Sequence, residues 1–214
     1  MAELDGPRWG PKDGAARQLV VLCHGVGADG HDLIDLAPHW APALPHAAFA
    51  APDGPEPYDM APFGRQWFSL TDRTPARVAA GVAAAAGPLD RFIDAELLRL
   101  GLPPDAYALM GFSQGAMAVL FTGLRRATPP RAILAYSGAL VSPVPELPGR
   151  PPVLLVHGEA DQVVPAERSR LAESALQAAG FPVEALYCPR LGHGIDEAGL
   201  STGSLFLQRV FSAG

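Results

Sequence analysis

The feature that most constrains how this chain can fold is the segment 108–118, where an apolar run ends in G-x-S-x-G and continues into a Gly- and Ala-rich stretch. A strand that turns sharply into a helix through this pattern is a nucleophile elbow, which holds the serine hydroxyl above the sheet. Gly111 and Gly115 suit such a turn because it brings two backbones together and leaves no room for a Cβ. The sequence therefore predicts Ser113 as a nucleophile.

The five-residue pattern is not specific by itself, because residues 199–203 also match it. This second copy follows the polar segment 196–198 instead of an apolar run, and no histidine follows it in the chain. We expect a loop or a helix start at this place. The context thus favours Ser113 over Ser201.

The composition is that of a globular chain and excludes several classes of partner. With 214 residues, of which 49% are hydrophobic, the chain can bury a sizeable core, and we expect one domain spanning residues 1–214. A formal net charge of −6 argues against nucleic acid or an anionic membrane surface as partner. The acidic start lacks the apolar segment of a signal peptide, and no apolar run reaches the length of a membrane span. We therefore expect a cytoplasmic protein.

Two cysteines, Cys23 and Cys188, end apolar runs that we interpret as distant strands of one sheet. Strands several positions apart are separated by roughly 15–20 Å, whereas a disulfide needs Cα atoms within about 7 Å. We expect both to be buried, free thiols.

Strand-like and helix-like segments alternate along the chain. The predicted strands are at residues 18–23, 46–51, 106–110, 132–136, 153–156 and 183–188. The predicted helices are at residues 32–40, 75–100, 116–124, 165–179 and 197–212. Residues 1–16 could hold an edge strand, and Pro88 predicts a kink or two abutting helices. The alternation predicts an α/β fold with a doubly wound, mainly parallel sheet and helices on both faces.

Ligands of such sheets bind beyond the carboxyl ends of the strands. Four of these ends carry polar or Gly-rich loops, at residues 24–30, 111–115, 157–161 and 192–195. Acyl transfer by Ser113 needs a base, and His193 fits because glycines flank it in the loop after the last strand. Asp161 would hold the imidazole in its correct tautomer and stabilise the imidazolium.

Other residues remain alternatives for these roles. His157 follows a buried strand and is a rival base, although a structural cap of the strand end fits it better. Glu159 and Asp196 are rival acids. We expect His24 to shape its Gly-rich loop by hydrogen bonding, and we place three further histidines on the surface or in loops: His31, His39 and His46.

Backbone donors for a developing oxyanion are expected on two loops. The N–H of Gln114 opens the helix after the elbow, where donors are unpaired. The second donor of such a site comes from the loop after the first long strand, and we assign it to the N–H of Val26.

Five motifs together resemble the phospholipase/carboxylesterase family of α/β-hydrolases, which includes bacterial carboxylesterases and acyl-protein thioesterases. They lie at residues 22–30, 66–68, 111–115, 157–161 and 192–194 and occur in the family's order. The resemblance implies the α/β-hydrolase fold, the triad Ser113, Asp161 and His193, and the oxyanion pair Val26 and Gln114. It further implies that the loop around Trp67 borders the acyl pocket, that the substrates are short- to medium-chain carboxylic esters, and that a homodimer is an option.

We expect a serine carboxylesterase that uses no metal or cofactor. The alternatives are a lysophospholipase or an acyl-protein thioesterase, which share the chemistry, and a non-catalytic binding protein on the same fold. The Pro-rich connection 138–151 is too short for a large lid. We expect an open groove for a small-molecule ester, walled by five apolar residues: Trp67, Phe68, Leu140, Val163 and Ile195.

Overall fold

The computed structural model describes residues 3–146 and 149–212. Parts of the predicted domain 1–214 and of the predicted connection 138–151 therefore lie outside the described residues. The strands are β1 Arg8–Trp9, β2 Gln18–Cys23, β3 Ala47–Ala50, β4 Glu56–Pro57, β5 Arg65–Gln66, β6 Tyr107–Phe112, β7 Ala132–Tyr136, β8 Val153–Gly158 and β9 Val183–Cys188. The helices are α1 Gly30–Ile34, α2 Ala37–Trp40, α3 Pro75–Leu100, α4 Gln114–Gly123, α5 Glu167–Ala178 and α6 Glu197–Ser212.

Seven of the strands form one sheet in the order β1-β3-β2-β6-β7-β8-β9. The edge strand β1 pairs antiparallel with β3, and the pairings from β3 through β9 are parallel. β4 and β5 form a separate two-stranded ribbon inside the loop 52–73. The predicted mainly parallel sheet is confirmed, and the edge strand lies within residues 1–16.

Both faces of the sheet are covered by helices, which explains why its strands are continuous apolar runs. Along β2, Leu19 and Val21 point into the core beneath α3, α4 and α5, whereas Val20 and Leu22 point into the core beneath α1, α2 and α6. The period of two places successive side chains on opposite faces. The carboxyl ends of the central strands therefore meet at one edge of a three-layered, helix–sheet–helix scaffold.

The structure corrects two helix predictions. The single helix expected over residues 32–40 is two short helices, α1 and α2. Pro38 lies in the first turn of α2, where its missing N–H costs nothing, but in one continuous helix its ring would clash with the carbonyl of Ile34. By contrast, α3 continues through Pro88 as one helix, and Val82 and Leu89 are buried on either side of it. The alternative of two abutting helices is wrong because this packing outweighs one missing hydrogen bond.

Backbone geometry defines the ends of α3, and the two cysteines agree with the expectation of free, buried thiols. Thr74 is the N-cap of α3, although its side chain makes no capping hydrogen bond, and Gly101 ends the helix at φ +67°. Cys23 and Cys188 are free and buried, on strands β2 and β9. Within residues 3–146 and 149–212, every helix falls short of a membrane span in length or in apolar character.

Candidate active site

The turn between β6 and α4 has the predicted elbow geometry. Ser113 has φ 55° and ψ −114°, a backbone conformation that non-glycine residues rarely adopt. A Cβ on Gly111 would overlap the carbonyl of Gly115, and a Cβ on Gly115 would overlap the carbonyl of Cys23. Such a strained position costs on the order of 1–3 kcal/mol and persists only because the surrounding packing enforces it.

The second G-x-S-x-G copy has a packing role. It forms the first turns of α6, and Ser201 is exposed there. Tyr136 donates its hydroxyl hydrogen to the carbonyl of Gly199 at 2.9 Å, and a Cβ on Gly203 would overlap that hydroxyl. The two glycines therefore allow α6 to approach the sheet closely, and the predicted helix start is confirmed.

Three predicted residues from three different loops are brought together at the carboxyl edge of the sheet. The Nε2 atom of His193 lies 2.9 Å from the Oγ of Ser113, and its Nδ1 atom lies 2.7 Å from the Oδ2 of Asp161. The ring of Phe112 packs against the His193 ring with centroids 4.8 Å apart. With Nδ1 donating to the carboxylate, Nε2 is free to accept the serine proton, which is the arrangement that general-base activation of a hydroxyl requires.

The carboxylate of Asp161 is fully buried and completely hydrogen-bonded. Its Oδ1 accepts the backbone N–H groups of Val163 and Val164 at 2.8 and 2.9 Å, while Oδ2 faces His193. Burial by itself would raise the pKa of Asp161. The hydrogen bonds from His193 and from these two backbone groups outweigh burial and hold the pKa below its ordinary value. The group is therefore an anion at neutral pH.

His157 also contacts Asp161, which the sequence analysis did not foresee. Its Nε2 lies 2.8 Å from the carbonyl of Val164 and 3.2 Å from Oδ2 of Asp161, and its Nδ1 lies 2.7 Å from Oγ of Ser169. Both neighbours of Nε2 only accept, so Nε2 carries the hydrogen, and in the neutral ring Nδ1 accepts from Ser169. The expectation was a cap of the strand end, whereas both ring nitrogens of His157 bind groups of the following loop and of α5. Its position four residues before Asp161 was the available signal for the contact.

The two rival acids are engaged elsewhere. Glu159 forms an ion pair with Arg170 at 2.6 Å on the surface. Asp196 accepts the backbone N–H of Gly199 at 2.8 Å and lies beside the thiol of Cys188. Among the described residues, Asp161 is therefore the acid that reaches His193.

The loop after β2 lies directly against the elbow. A Cβ on Gly25 would be 3.5 Å from the Cβ of Ser113. His24, which is buried, donates from Nδ1 to the carbonyl of Gly25 at 2.7 Å and accepts the N–H of Gly54 at Nε2 at 2.8 Å. Burial lowers the pKa of His24, which favours this neutral tautomer. The predicted loop-shaping role of His24 is confirmed.

Val26 and Gln114, the residues predicted to supply the oxyanion donors, both line the groove that contains Ser113. Within residues 3–146 and 149–212, neither N–H has a hydrogen-bond acceptor. The side chain of Gln114 is clamped, since its Nε2 donates to the carbonyl of Phe68 at 2.7 Å and its Oε1 accepts the N–H of Trp67 at 2.8 Å. Two backbone N–H groups without an acceptor thus belong to residues that line the same groove as Ser113, which is compatible with an oxyanion site.

A groove of about 440 Å³ opens beside Ser113, Val26 and Gln114. Leu140 and Val163 line it, as predicted. Ten further lining residues were not predicted because nothing in their local pattern marks them; they include Leu70, Arg73, Val78, Met117, Val141 and Arg168.

The other three predicted wall residues lie elsewhere. Trp67 is 1% exposed and belongs to the core, where its Nε1 donates to the carbonyl of His24 at 2.9 Å. Phe68 is buried against Gly81 of α3. Ile195 packs against the core on the α6 side of the sheet. The assignments of Trp67 and Phe68 fail because the loop 52–73 turns these two side chains into the core, where more apolar surface is buried than a groove wall would offer. The assignment of Ile195 fails because its side chain packs against the core on the α6 side of the sheet.

Comparisons with known proteins agree with this geometry. A family model described as Phospholipase/Carboxylesterase matches residues 7–211. The chain belongs to this family. Within the described ranges, no group of three or more His, Cys, Asp or Glu side chains could hold a metal ion.

Proteins similar to this chain include two named esterases and a named thioesterase. The chain is 32% identical over 185 residues to Esterase YpfH of Escherichia coli (strain K12), covering 86% of this chain and 79% of that protein. It is similar to the crystal structure of esterase PE8, with a TM-score of 0.92, 40% identity and coverage of 98% and 100%. It is 26% identical over 194 residues to Acyl-protein thioesterase 1 of Neurospora crassa, covering 81% and 79%.

Proposed function

We propose that Ser113, His193 and Asp161 are the catalytic triad of this carboxylic ester hydrolase, and that it cleaves short- to medium-chain esters through an acyl-serine intermediate. The observation that carries the proposal is the pair of hydrogen bonds from Ser113 to His193 at 2.9 Å and from His193 to Asp161 at 2.7 Å. These two hydrogen bonds connect the serine of the strained elbow, through the imidazole, to a buried carboxylate.

The first half of the reaction acylates the serine. Neutral His193 accepts the hydroxyl proton at Nε2 while Oγ of Ser113 attacks the ester carbonyl carbon. The N–H groups of Val26 and Gln114 receive the negative charge that develops on the carbonyl oxygen. His193 then gives its proton to the departing alcohol, the bond to that alcohol breaks, and the acyl group remains on Ser113.

The second half releases the acid by the same groups. Water enters in place of the alcohol, and His193 accepts one of its protons while the water oxygen attacks the acyl-serine carbonyl carbon. His193 then returns the proton to Oγ of Ser113 as the bond between Oγ and the acyl carbon breaks, which releases the acid. The oxyanion is again held by the two backbone N–H groups. Asp161 remains an anion throughout, because its hydrogen bonds hold its pKa below the ordinary value, and it stabilises the imidazolium in both halves.

The names of the relatives support hydrolysis of carboxylic esters more strongly than hydrolysis of thioesters. Esterase YpfH and esterase PE8 favour carboxylic esters, whereas Acyl-protein thioesterase 1 favours the alternative. The complete set of hydrogen-bonded groups argues against a non-catalytic binding protein. A lysophospholipase would use the same chemistry and differ only in the alcohol that departs.

The shape of the groove supports small substrates and hydrolysis without interfacial activation. The connection after β7 contains no helix in residues 138–146 and 149–151, so it forms a rim instead of a lid. Leu140 and Val163 offer apolar wall beside Ser113. Each methylene that contacts this wall contributes about 0.8 kcal/mol, and one that extends beyond it contributes little.

The test is kcat/KM for p-nitrophenyl esters of increasing acyl length, together with one matched oxygen ester and thioester. We expect kcat/KM to rise up to a medium chain length and then to level off. Leu140→Ala should shift that profile, because it removes wall, whereas Leu205→Ala on the exposed face of α6 should not. A preference for emulsified long-chain esters, or a jump in rate above the solubility limit, would contradict the open groove.

A further inference from the structure

We propose that the groove beside Ser113 selects esters that carry an anionic group, and that Arg73 and Arg168 hold this group. The inference rests on the proposed esterase function and names the substrate class of the same site.

The charge of the groove is opposite to that of the chain. The sequence has 22 acidic residues against 16 Lys and Arg. Arg73, from the loop before α3, and Arg168, from the first turn of α5, both line the groove, and among the described lining residues none is acidic. The remaining walls are mostly apolar, so the two guanidinium groups are the charges that a bound substrate meets.

Neither arginine is neutralised by the protein. The Nε of Arg73 reaches only the carbonyl of Leu70, at 3.4 Å, and the side chain of Arg168 has no partner among the described residues. Asp72, the neighbour of Arg73, accepts the N–H of Thr74 at 2.9 Å and lies 3.7 Å from Arg77. The acid nearest in sequence to Arg73 is therefore directed away from the groove.

Arg73 and Arg168 each have an arginine close in sequence that forms an ion pair and lies outside the groove. Arg77 pairs with Asp72, and Arg170 pairs with Glu159 at 2.6 Å. Neither Arg77 nor Arg170 lines the groove. Within the same two segments, one arginine serves an ion pair and the other faces the groove without one.

A planar guanidinium binds a carboxylate or a phosphate through two parallel N–H donors. With the ester carbonyl at Ser113 and its carbon chain along the apolar wall, a terminal anion would lie at the arginines. The anion has two sources with the same chemistry. It can end the acyl chain, as in a half-ester of a dicarboxylic acid, or it can belong to the departing alcohol.

Two matched pairs of substrates separate these sources. On the acyl side, the p-nitrophenyl half-ester of glutaric acid is compared with p-nitrophenyl pentanoate. On the alcohol side, 4-(butyryloxy)benzoate is compared with its methyl ester. The ratio of kcat/KM for the charged and the neutral member is measured in the native protein and in Arg73→Gln, Arg168→Gln and the double variant. The matched controls are Arg77→Gln and Arg170→Gln, which remove the same unit of charge outside the groove.

We expect the native protein to favour the charged member of at least one pair, and to lose that preference in high salt, because exposed charges are screened. Each groove variant should lower the ratio about two- to fivefold, the size of an exposed ion pair, and the double variant should lower it further. The two controls should keep the native ratio.

A ratio that falls equally in the controls, or that does not change in the double variant, would overturn the charge selection and leave the esterase function intact. A preference of the native protein for the neutral member of both pairs would also overturn the charge selection and leave the esterase function intact. No hydrolysis of any of the four esters would instead overturn the proposed function, and the inference with it.

Discussion

Asp161 and its neighbours decide how well His193 can act as a base. Asp161→Asn should lower kcat by about 10⁴, because the amide cannot hold the required imidazole tautomer. His157→Phe should lower kcat by about 10- to 100-fold, because it removes the Nε2 donor at 3.2 Å from the carboxylate, and small displacements of a catalytic group have costs of this size. Glu159→Gln should leave kcat unchanged, since Glu159 faces Arg170.

Two further readouts separate positioning by His157 from a purely structural role. The loss in His157→Phe should fall on kcat more than on KM when both are measured on the folded fraction. His157→Gln should restore part of the rate, since its amide nitrogen can donate from nearly the same place as Nε2. A His157→Phe protein that unfolds more easily but keeps the native kcat would remove His157 from the catalytic arrangement. A larger loss in Glu159→Gln than in Asp161→Asn would move the acid to Glu159.

The sequence predicted the triad but not the whole groove, and the reason is physical. Ser113 and Asp161 follow continuous apolar strands and His193 follows the edge strand β9, and parallel strands bring such loops to one edge. Trp67 and Phe68 lie in an aperiodic loop, so no local pattern reveals whether their side chains face the groove or the core. Arg73 could not be predicted as a groove residue for the same reason, and Arg168 lies at the start of α5, where the helical pattern does not reveal which end of the helix borders the groove.

At the scale of elements, the buried side chain of Glu96 joins α3 to the edge strand β1. It is 3% exposed and accepts hydrogen bonds from Arg8 at 2.7 and 2.9 Å and from Arg99 at 2.7 and 3.0 Å. Burial would raise the pKa of Glu96, but the hydrogen bonds from the two arginines outweigh it and keep the pKa below the ordinary value. Glu96→Gln should therefore lower the free energy of unfolding by about 1–3 kcal/mol at neutral pH.

The loss of unfolding free energy caused by Glu96→Gln should become smaller as the pH falls. Because the folded-state pKa is lowered, the contribution of Glu96 is complete above the unfolded value of about 4.3 and is lost as the pH falls through the folded value. Urea unfolding of both proteins at pH 7 and at successively lower pH measures it. Asp105→Asn, which breaks the half-exposed pair of Asp105 with Arg131, is the control and should cost less than about 1 kcal/mol. Equal costs for the two variants, or a cost of Glu96→Gln that does not decrease in acid, would contradict this role.

Element boundaries were predictable where packing and propensity agree. The strands β7 and β9 and the helix α6 have the predicted bounds, since their apolar runs end at polar or Gly-rich turns. The prediction of one helix over residues 32–40 was wrong because the apolar residues of this segment have helical spacing, although Pro38 forbids one continuous helix. The ribbon of β4 and β5 has only two residues in each strand, too few for an alternating pattern to be recognised.

At the scale of the molecule, the net charge of the chain and the two groove arginines act in opposite senses on an anionic substrate. The net charge of −6 repels anions at long range, but salt screens this repulsion over about 8–10 Å. The two arginines lie on the groove itself and attract an anion at contact distance, and because both are exposed, high salt weakens this attraction as well. The sheet brings all four active-site loops to one edge, so selection among esters is expected to depend on the groove and its rim and not on a moving lid.

The most direct measurement of the central claim is the site of covalent labelling by a fluorophosphonate, mapped by mass spectrometry of the intact protein and its peptides. One adduct is predicted, on Ser113, with loss of esterase activity in proportion to labelling. Ser113→Ala should take up no label and lose on the order of 10⁶ in kcat, whereas Ser201→Ala should be labelled and active like the native protein. An adduct on Ser201, or undiminished hydrolysis by Ser113→Ala, would contradict the assignment of Ser113 as the nucleophile.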